Sequence, residues 1–235
     1  MHPRQLVSLA LIAGLTTRAG GQEVERFSDG LVPGAYLRVS AGTTTPVNAQ
    51  GNLRDWKPGK GASVAWESWD SRDGTYGVSR LGFAISAAYS VLRLDNDQFL
   101  TKFIPPSGGT VSSASGTAGV LEVVTNLRFR IPAPYIMPSI VLGLGFIDWR
   151  PGTIKYTGSS GSGTAREQHR SGSEIAIGGT LDKTIINRYA VFGEATYVYG
   201  LTRFGGGVCA ASGCDALRNT TVTTLRGGLR VRLMR

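Results

Sequence analysis

The sequence predicts an all-β fold, an eight-stranded antiparallel up-and-down transmembrane β-barrel, from three observations. Eight segments alternate apolar and polar residues with the two-residue period of a strand that has one apolar face. The links between these segments alternate between short and long, as in barrels that cross a bacterial outer membrane. A stretch typical of secreted proteins precedes the segments, and the 235 residues are enough for one large β domain.

The N-terminal stretch has the pattern of a secretory signal peptide. Arg4 precedes a ten-residue apolar run at residues 6–15, which is too short to cross a bilayer as a helix. Small residues at positions 19 and 21 provide a cleavage site before Gln22, and no cysteine follows the cut to carry a lipid anchor. We therefore expect residues 1–21 to be a signal peptide and residues 22–235 to form one barrel domain.

The eight strands are predicted in order along the mature chain. The third is the clearest, because Leu81, Phe83 and Ile85 fall on one face while Gly82 and Ala84 fall on the other. No segment after the signal peptide has the 3.6-residue period of an amphipathic helix. The predicted strands span residues 34–45, 61–70, 77–94, 117–131, 135–149, 173–187, 189–203 and 219–234.

The links differ in length in a regular way. Short turns at residues 71–76, 132–134 and 187–188 follow the second, fourth and sixth strands. Long polar links rich in Gly, Ser, Thr and Pro, at residues 46–60, 95–116, 150–172 and 204–217, follow the first, third, fifth and seventh strands. A soluble β-meander has no physical reason for this asymmetry, whereas an outer-membrane barrel has short periplasmic turns and long extracellular loops.

The apolar face is predicted to contact lipid. The polar face is rich in Gly, Ala and Ser, which fit a narrow lumen, and Lys183 is the one lysine in a predicted strand. Aromatic residues near the strand ends predict two interfacial girdles, Trp69, Tyr76, Tyr135 and Tyr189 at the short turns and Tyr89, Trp149, Tyr197 and Tyr199 at the long loops. The architectural alternative is a soluble secreted lipocalin-like barrel that binds an apolar ligand inside.

Charged residues of both signs then fall on the lumen face. An eight-stranded barrel is only wide enough for side chains to fill its interior, and unpaired charges there are costly. We therefore expect a lumen filled by ion pairs and hydrogen bonds with no open channel; a narrow channel for small or apolar solutes is the alternative. The predicted lumen network is Arg38, Glu67, Arg80, Glu122, Arg128, Glu174, Asp182, Glu194, Arg226 and Arg230.

The mature chain is basic. Without Arg4 and Arg18 it has 23 Lys and Arg against 16 Asp and Glu, a net charge of +7. The cations are scattered singly, without a nucleic-acid-binding motif, so an anionic membrane surface is the preferred partner rather than nucleic acid. Candidate contacts to lipopolysaccharide phosphates, or otherwise a solubilising cationic rim, are Arg54, Lys57, Lys60, Lys155, Arg166 and Arg170.

Two cysteines, Cys209 and Cys214, lie in a long link as CAASGC. After export they would meet an oxidising compartment, so a disulfide that closes a tight loop is expected. Zinc is a poor alternative because no His or third Cys lies nearby, while a structural zinc site takes four ligands. No metal or cofactor site is predicted.

Catalytic signatures are weak in this sequence. His169, the one histidine of the mature chain, has Ser171 and Glu167 nearby, but they lie in a Gly- and Ser-rich link and are interpreted as solvated. Asp95 and Asp148 are likewise interpreted as solvated carboxylates, and GSSGSGT at residues 158–164 lacks the Lys and helix of a phosphate-binding loop. We expect no enzymatic activity; a lipid-modifying enzyme would require His169 to meet partners from another strand.

These patterns resemble the small eight-stranded outer-membrane proteins, the OmpA-, OmpX- and OmpW-like barrel domains. The resemblance covers the mature chain and rests on segments such as RLGFAISAAYSVLRL and the closing strand TTLRGGLRVRLMR. Members typically end in an aromatic residue read by the barrel-assembly machinery, whereas this chain ends Leu233-Met234-Arg235. The resemblance implies residence in the outer membrane of a Gram-negative bacterium, with a structural, adhesive or surface-interaction role.

Overall fold

Eight long strands close into an antiparallel barrel in the computed structural model. The structure describes residues 34–47, 56–70, 81–101, 103–106, 108–131, 133, 136–166, 169–186, 188–204 and 218–233. The predicted signal peptide, Arg54, Arg80, Cys209 and Cys214 lie outside the described residues. The barrel therefore accounts for all eight predicted strands, and the predicted fold class is confirmed.

The barrel strands are 13 to 17 residues long. In chain order, the strands of the whole structure are β1 Gly34–Pro46, β2 Trp56–Trp69, β3 Leu81–Leu94, β4 Val111–Ser115, β5 Thr117–Arg130, β6 Met137–Pro151, β7 Thr153–Gly158, β8 Gly161–Arg166, β9 Arg170–Ile186, β10 Tyr189–Phe204 and β11 Arg218–Arg232, with one helix, α1 Asn96–Leu100. The order around the barrel is β1, β2, β3, β5, β6, β9, β10 and β11, and β11 pairs with β1 to close it. Because every barrel strand has two neighbours, no sheet edge of the described barrel is left open.

The outer wall of the barrel is apolar. Alternate residues of β3 face outward, Leu81, Phe83 and Ile85 among them, while Gly82 and Ala84 face the lumen as predicted. Leu144 of β6 is 67% exposed and Leu225 of β11 is 64% exposed. A wall of this kind is stable in lipid, so the soluble alternative with an apolar cavity does not describe this barrel.

The long links after β3 and β6 contain short secondary-structure elements that the sequence analysis did not predict. The first contains α1 and β4, and the second contains β7 and β8; β4, β7 and β8 form a separate three-stranded sheet. Gly161 has a φ of +109°, a conformation that favours glycine, where the tight β7–β8 hairpin enters β8. Five- and six-residue strands are too short to give a clear period, and the many Gly and Ser residues of this link disguise them.

Two of the predicted girdle residues lie inside the barrel. Trp69 is 3% exposed and Trp149 is 2% exposed, because their positions in β2 and β6 have inward parity. Since the side-chain period is two, an error of one residue moves a side chain to the other face. Trp66, 43% exposed, is the outward tryptophan of β2, and Tyr89, Tyr189 and Tyr197 face outward as expected. Tyr199 is half-buried, and Tyr76 and Tyr135 lie outside the described residues.

The two ends of the barrel differ in their connections. We call the end with short turns the periplasmic end and the end with long links the extracellular end. Helix α1 is a single short turn in the link after β3. Among the described residues, no helix has the length and apolar character needed to cross a membrane.

Candidate functional site: lumen, extracellular platform and outer wall

The lumen contains a layer of ion pairs centred on Glu67 of β2. Its carboxylate lies 2.9 Å from Arg38, 3.2 Å from Arg128 and 2.7 Å from Arg230. Glu194 of β10 lies 3.0 Å from Arg38 and 2.6 Å from Arg128. Arg230 also pairs with Asp182 at 3.0 Å, so that six of the predicted lumen residues come together in this layer. Buried charges of both signs thus compensate one another across the barrel.

Aromatic rings complete this charged layer. The guanidinium group of Arg38 lies 3.7 Å from the ring centroid of Phe192, and that of Arg130 lies 3.9 Å from the ring of Trp69. Such cation–π contacts stabilise desolvated cations. The Trp69 ring nitrogen also donates a hydrogen bond to Glu67 at 3.3 Å. Sequence reasoning missed these rings, because it assigned Trp69 to the lipid interface; the parity of β2 counted from Glu67 is the signal that places it inside.

A smaller polar layer lies closer to the extracellular end. Arg226 donates to Glu122 at 2.6 Å, beside a cavity of about 30 Å³ with Ser86 and Asn126 in its lining. A cavity of this size has room for about one or two water molecules. Glu174 is buried at 2% exposure, yet within the described part of the chain neither of its carboxylate oxygens has a hydrogen-bond partner. Glu174 is therefore an exception to the expected filling of the lumen by ion pairs and hydrogen bonds.

An apolar cluster fills the lumen beyond this polar layer. Trp56 and Trp149 meet edge to face with ring centroids 5.6 Å apart, and Phe99 of α1 packs in the same cluster. The other buried members include Leu92, Val120, Ile147, Ile154, Val198 and Val222. The lumen is thus filled by ion pairs in its periplasmic half and by hydrocarbon beneath the extracellular end.

The sheet β4–β7–β8, which we call the extracellular platform, packs on this apolar cluster. Ile154 of β7 is buried in it, and Phe103 stacks on Phe99 at 4.7 Å and contacts Tyr156 at 4.9 Å. Asn96 of α1 accepts a hydrogen bond from the backbone of β4 at 2.7 Å. Apolar packing on one face and this hydrogen bond hold the platform on the barrel.

The opposite face of the platform is exposed and polar. The register places side chains of β4, β7 and β8 side by side on it, so that Lys155 lies between Ser115 and Thr164. The three strands contain no Asp or Glu. The exposed residues of this face are Ser113, Ser115, Thr153, Lys155, Thr157, Ser162, Thr164 and Arg166.

The predicted lipopolysaccharide contacts are distributed over three places. Lys155 and Arg166 lie on the platform face. Lys57 and Lys60 are exposed near the extracellular end of β2, where Lys57 lies 3.4 Å from Asp95. Arg170 is not a surface residue, since it is 4% exposed and is paired in register with the buried Trp149. The reason is that β9 begins three residues earlier than predicted, so that Arg170 belongs to the strand and occupies one of its inward-facing positions.

The outer wall carries a polar cluster near the extracellular end of β6. Asp148 is 3% exposed and contacts Nε2 of His169, and Nε of Arg150 donates to the same carboxylate at 2.5 Å. Asp148 was therefore wrongly interpreted as a solvated carboxylate, and His169 meets a residue of another strand. Ser171 of β9 is the register partner of Asp148. Within the described residues, no group of three or more His, Cys, Asp or Glu side chains is arranged to hold a metal ion.

Comparison with known proteins gives a likeness of fold. No protein-family model matches the chain, and no curated protein matches it in sequence. The outer membrane protein OprG from Pseudomonas aeruginosa is 10% identical with a TM-score of 0.51, covering 88% of this chain and 99% of OprG. A major outer membrane protein from Thermus thermophilus is 14% identical with a TM-score of 0.48, covering 85% and 99% of the two chains. Neisserial surface protein A is 10% identical with a TM-score of 0.46, covering 85% and 97%. With its closed eight-stranded barrel and apolar outer wall, the chain has the fold of the small outer-membrane β-barrels.

Proposed function

We propose that this chain is a surface-interaction protein, in which the filled barrel anchors the extracellular platform and the platform binds phosphorylated glycan of lipopolysaccharide. The observation that carries the proposal is the two-sided construction of the platform. One face is packed on the apolar cluster through Ile154, and the other presents hydroxyl groups and two cations to solvent. Binding residues are commonly held on links of this kind by a rigid scaffold.

The chemistry of the exposed face supports a glycan with phosphate groups. Its six hydroxyl side chains both donate and accept hydrogen bonds, as sugar hydroxyls do. Lys155 and Arg166 add charge-assisted donors, and no carboxylate of the three strands opposes an anion. Neighbouring strands place these side chains in register on one face of the sheet. A polar sheet face suits an extended saccharide better than an apolar ligand.

The lumen supports an anchoring role for the barrel rather than passage of solutes. Ion pairs around Glu67 cross it in one half and the Trp56–Trp149 cluster fills the other. Both layers join strands that are distant in sequence, which makes the barrel a rigid support. The narrow-channel alternative has no comparable observation in its favour.

Binding of purified lipopolysaccharide to the mature protein in lipid nanodiscs tests the proposal. The double variant Lys155→Gln, Arg166→Gln is expected to weaken binding about tenfold, equivalent to about 1.4 kcal/mol. Added salt is expected to weaken wild-type binding more than that of the variant, because exposed ionic contacts are screened. Lys183→Gln is the matched control, since Lys183 is an exposed lysine near the periplasmic end of β9.

Two results would contradict the proposal. Equal affinity of the double variant and the wild type would remove the platform cations from the binding surface. Equal affinity of the wild type for intact and for enzymatically dephosphorylated lipopolysaccharide would exclude phosphate as the recognised group. Loss of affinity in the Lys183→Gln control would indicate a general charge effect instead of a local contact.

A further inference from the structure

Asp148 occupies an unusual place for a carboxylate. It extends the outward-facing row of β6 that contains Leu144 and Phe146, which face lipid, and it lies two residues beyond Phe146 towards the extracellular end. A buried charge on such a wall is costly unless it is paired. The pairing is supplied by His169 and by Arg150, whose Nε lies 2.5 Å from the carboxylate. The outer wall therefore holds one imidazole ring in a charged cluster at its extracellular end.

Ser171 belongs to the same cluster by register. It is the partner of Asp148 across the β6–β9 pair, and paired residues of antiparallel strands project to the same side of a sheet. Ser171 also follows His169 by two residues. The Asp148 carboxylate and the His169 ring are in contact, so the register places Ser171 on the same side of the sheet as a carboxylate–imidazole pair.

We propose that Ser171, His169 and Asp148 form a hydrolytic site for acyl esters of phosphorylated lipids in the outer leaflet. A nucleophilic hydroxyl, an imidazole base and an orienting carboxylate are the three parts that acyl transfer by serine requires. The contact of Asp148 with Nε2 favours the tautomer with its proton on Nε2, which leaves the lone pair on Nδ1 to act as the base. Asp148 is the positioning residue, and Ser171 and His169 carry the chemistry.

The reaction takes two balanced steps. The Ser171 oxygen attacks the ester carbonyl carbon while its proton passes to Nδ1 of His169; the carbon–oxygen bond to the lipid alcohol breaks, and the alcohol leaves with that proton. Water then gives a proton to Nδ1 and its hydroxide attacks the acyl-serine. The fatty acid leaves, and the proton returns to the Ser171 oxygen.

The position of the site gives the substrate class. Phe146, 45% exposed, lies on the outer wall two residues from Asp148 on the periplasmic side. Lipid acyl chains would contact the wall at this level. The side chain of Arg150 is 65% exposed and provides a cation for a lipid phosphate at the same level. Glycerophospholipids and the lipid portion of lipopolysaccharide both combine acyl esters with phosphate, so the experiment must distinguish them.

Labelling with an alkyl fluorophosphonate, followed by peptide mass spectrometry, tests the site in the full mature protein refolded in lipid vesicles. We expect the probe to attach to Ser171 and the protein to release fatty acid from vesicles. Ser171→Ala and His169→Asn are each expected to lower fatty-acid release at least about 100-fold. Ser173→Ala is the matched control, because Ser173 is the next exposed residue on the same face of β9 and pairs with Phe146.

The role of Asp148 is tested by comparing two substitutions. Asp148→Asn is expected to lose release and labelling together, whereas Asp148→Glu, which keeps a carboxylate, is expected to retain part of both. A purely structural role would lower the yield of folded barrel in both variants without this difference in activity per folded molecule. Folding is monitored by the shift in gel mobility between heated and unheated samples.

The two possible substrates are distinguished by measuring fatty-acid release from vesicles of phosphatidylethanolamine and, separately, from lipopolysaccharide micelles. Release from either one supports the site and identifies which phosphorylated lipid it accepts. A folded wild type that neither reacts with the probe nor releases fatty acid from either lipid overturns the proposal. So does labelling at Ser171 that is unchanged in His169→Asn, because the imidazole would then have no part in activating the hydroxyl.

Discussion

The Glu67 carboxylate is paired with Arg230 at 2.7 Å, and both side chains are completely buried in the lumen. Arg38 and Arg128 also contact Glu67, so one carboxylate on β2 balances guanidinium groups contributed by β1, β5 and β11. Glu67 and Arg230 are separated by 163 residues in sequence. Closure of the barrel and assembly of this ion-pair layer are therefore coupled.

Glu67→Gln is expected to destabilise the barrel strongly. It removes a negative charge that contacts three buried arginines, and breaking a buried ion pair costs about 3–5 kcal/mol. Urea unfolding in lipid vesicles, followed by tryptophan fluorescence, measures the change in the free energy of unfolding. Asp97→Asn, at an exposed position in α1, is the control and should leave stability nearly unchanged. A loss below about 1 kcal/mol for Glu67→Gln, the value typical of an exposed pair, would argue against a central role for this residue.

Glu174→Met is expected to have the opposite sign. Within the described residues neither carboxyl oxygen of Glu174 has a hydrogen-bond partner, so an apolar side chain of similar length removes an unsatisfied buried polar group. We expect a gain of about 1–3 kcal/mol in the free energy of unfolding, the range for an unsatisfied buried group. Glu122→Met is the matched comparison and should destabilise, because Glu122 pairs with Arg226 at 2.6 Å. The same sign for both substitutions would contradict this difference between the two carboxylates.

Gly82→Ala is expected to destabilise the barrel through a steric clash. A Cβ atom at position 82 would lie 2.7 Å from the ring of Trp69, which is itself held between Arg130 and Glu67. Overpacking of this kind costs about 1–3 kcal/mol. Gly193→Ala serves as the control, because a Cβ there has no described heavy atom within 4 Å. Equal unfolding midpoints for the two variants would show that Trp69 moves aside easily.

The barrel strands could be predicted because lipid imposes one strong rule on each of them. Residues such as Leu81, Phe83 and Ile85 all face outward, and therefore apolar residues recur at every second position of the strand. Positions near strand ends are less constrained, since both rims mix polar and apolar side chains. Trp69 and Trp149 were therefore assigned to the wrong face, although the parity of Glu67 and Ile147 places them inside.

The platform and the outer-wall cluster could not be predicted from local sequence. The platform strands are five and six residues long and depend on contacts with Phe103 and α1, which are themselves in the link after β3. His169 and Asp148 are 21 residues apart, and their contact depends on the β6–β9 register and on the β7–β8 hairpin folded between them. Such non-local pairing leaves no periodic signal in either segment.

A filled lumen predicts that the purified protein gives no steady single-channel conductance in planar bilayers. The ion-pair layer and the Trp56–Trp149 cluster each occupy the lumen at a different depth. The double variant Trp56→Ala, Trp149→Ala is therefore also expected to give no steady conductance, because the charged layer remains. Steady conductance of the wild type would refute the filled lumen. Conductance of the double variant alone would show that only the apolar cluster closes it.

Quenching of tryptophan fluorescence by brominated lipids tests which face of the barrel meets the membrane. Trp66 is 43% exposed on the outer wall, while Trp56, Trp69 and Trp149 are each no more than 4% exposed and lie inside. Bromine in the acyl chains should quench Trp66 because quenching requires near contact. Trp66→Phe is expected to abolish most of the lipid-dependent quenching, and Trp69→Phe should retain it. The reverse result would place the β2 register one residue out, and with it every charged side chain now assigned to the lumen from that strand.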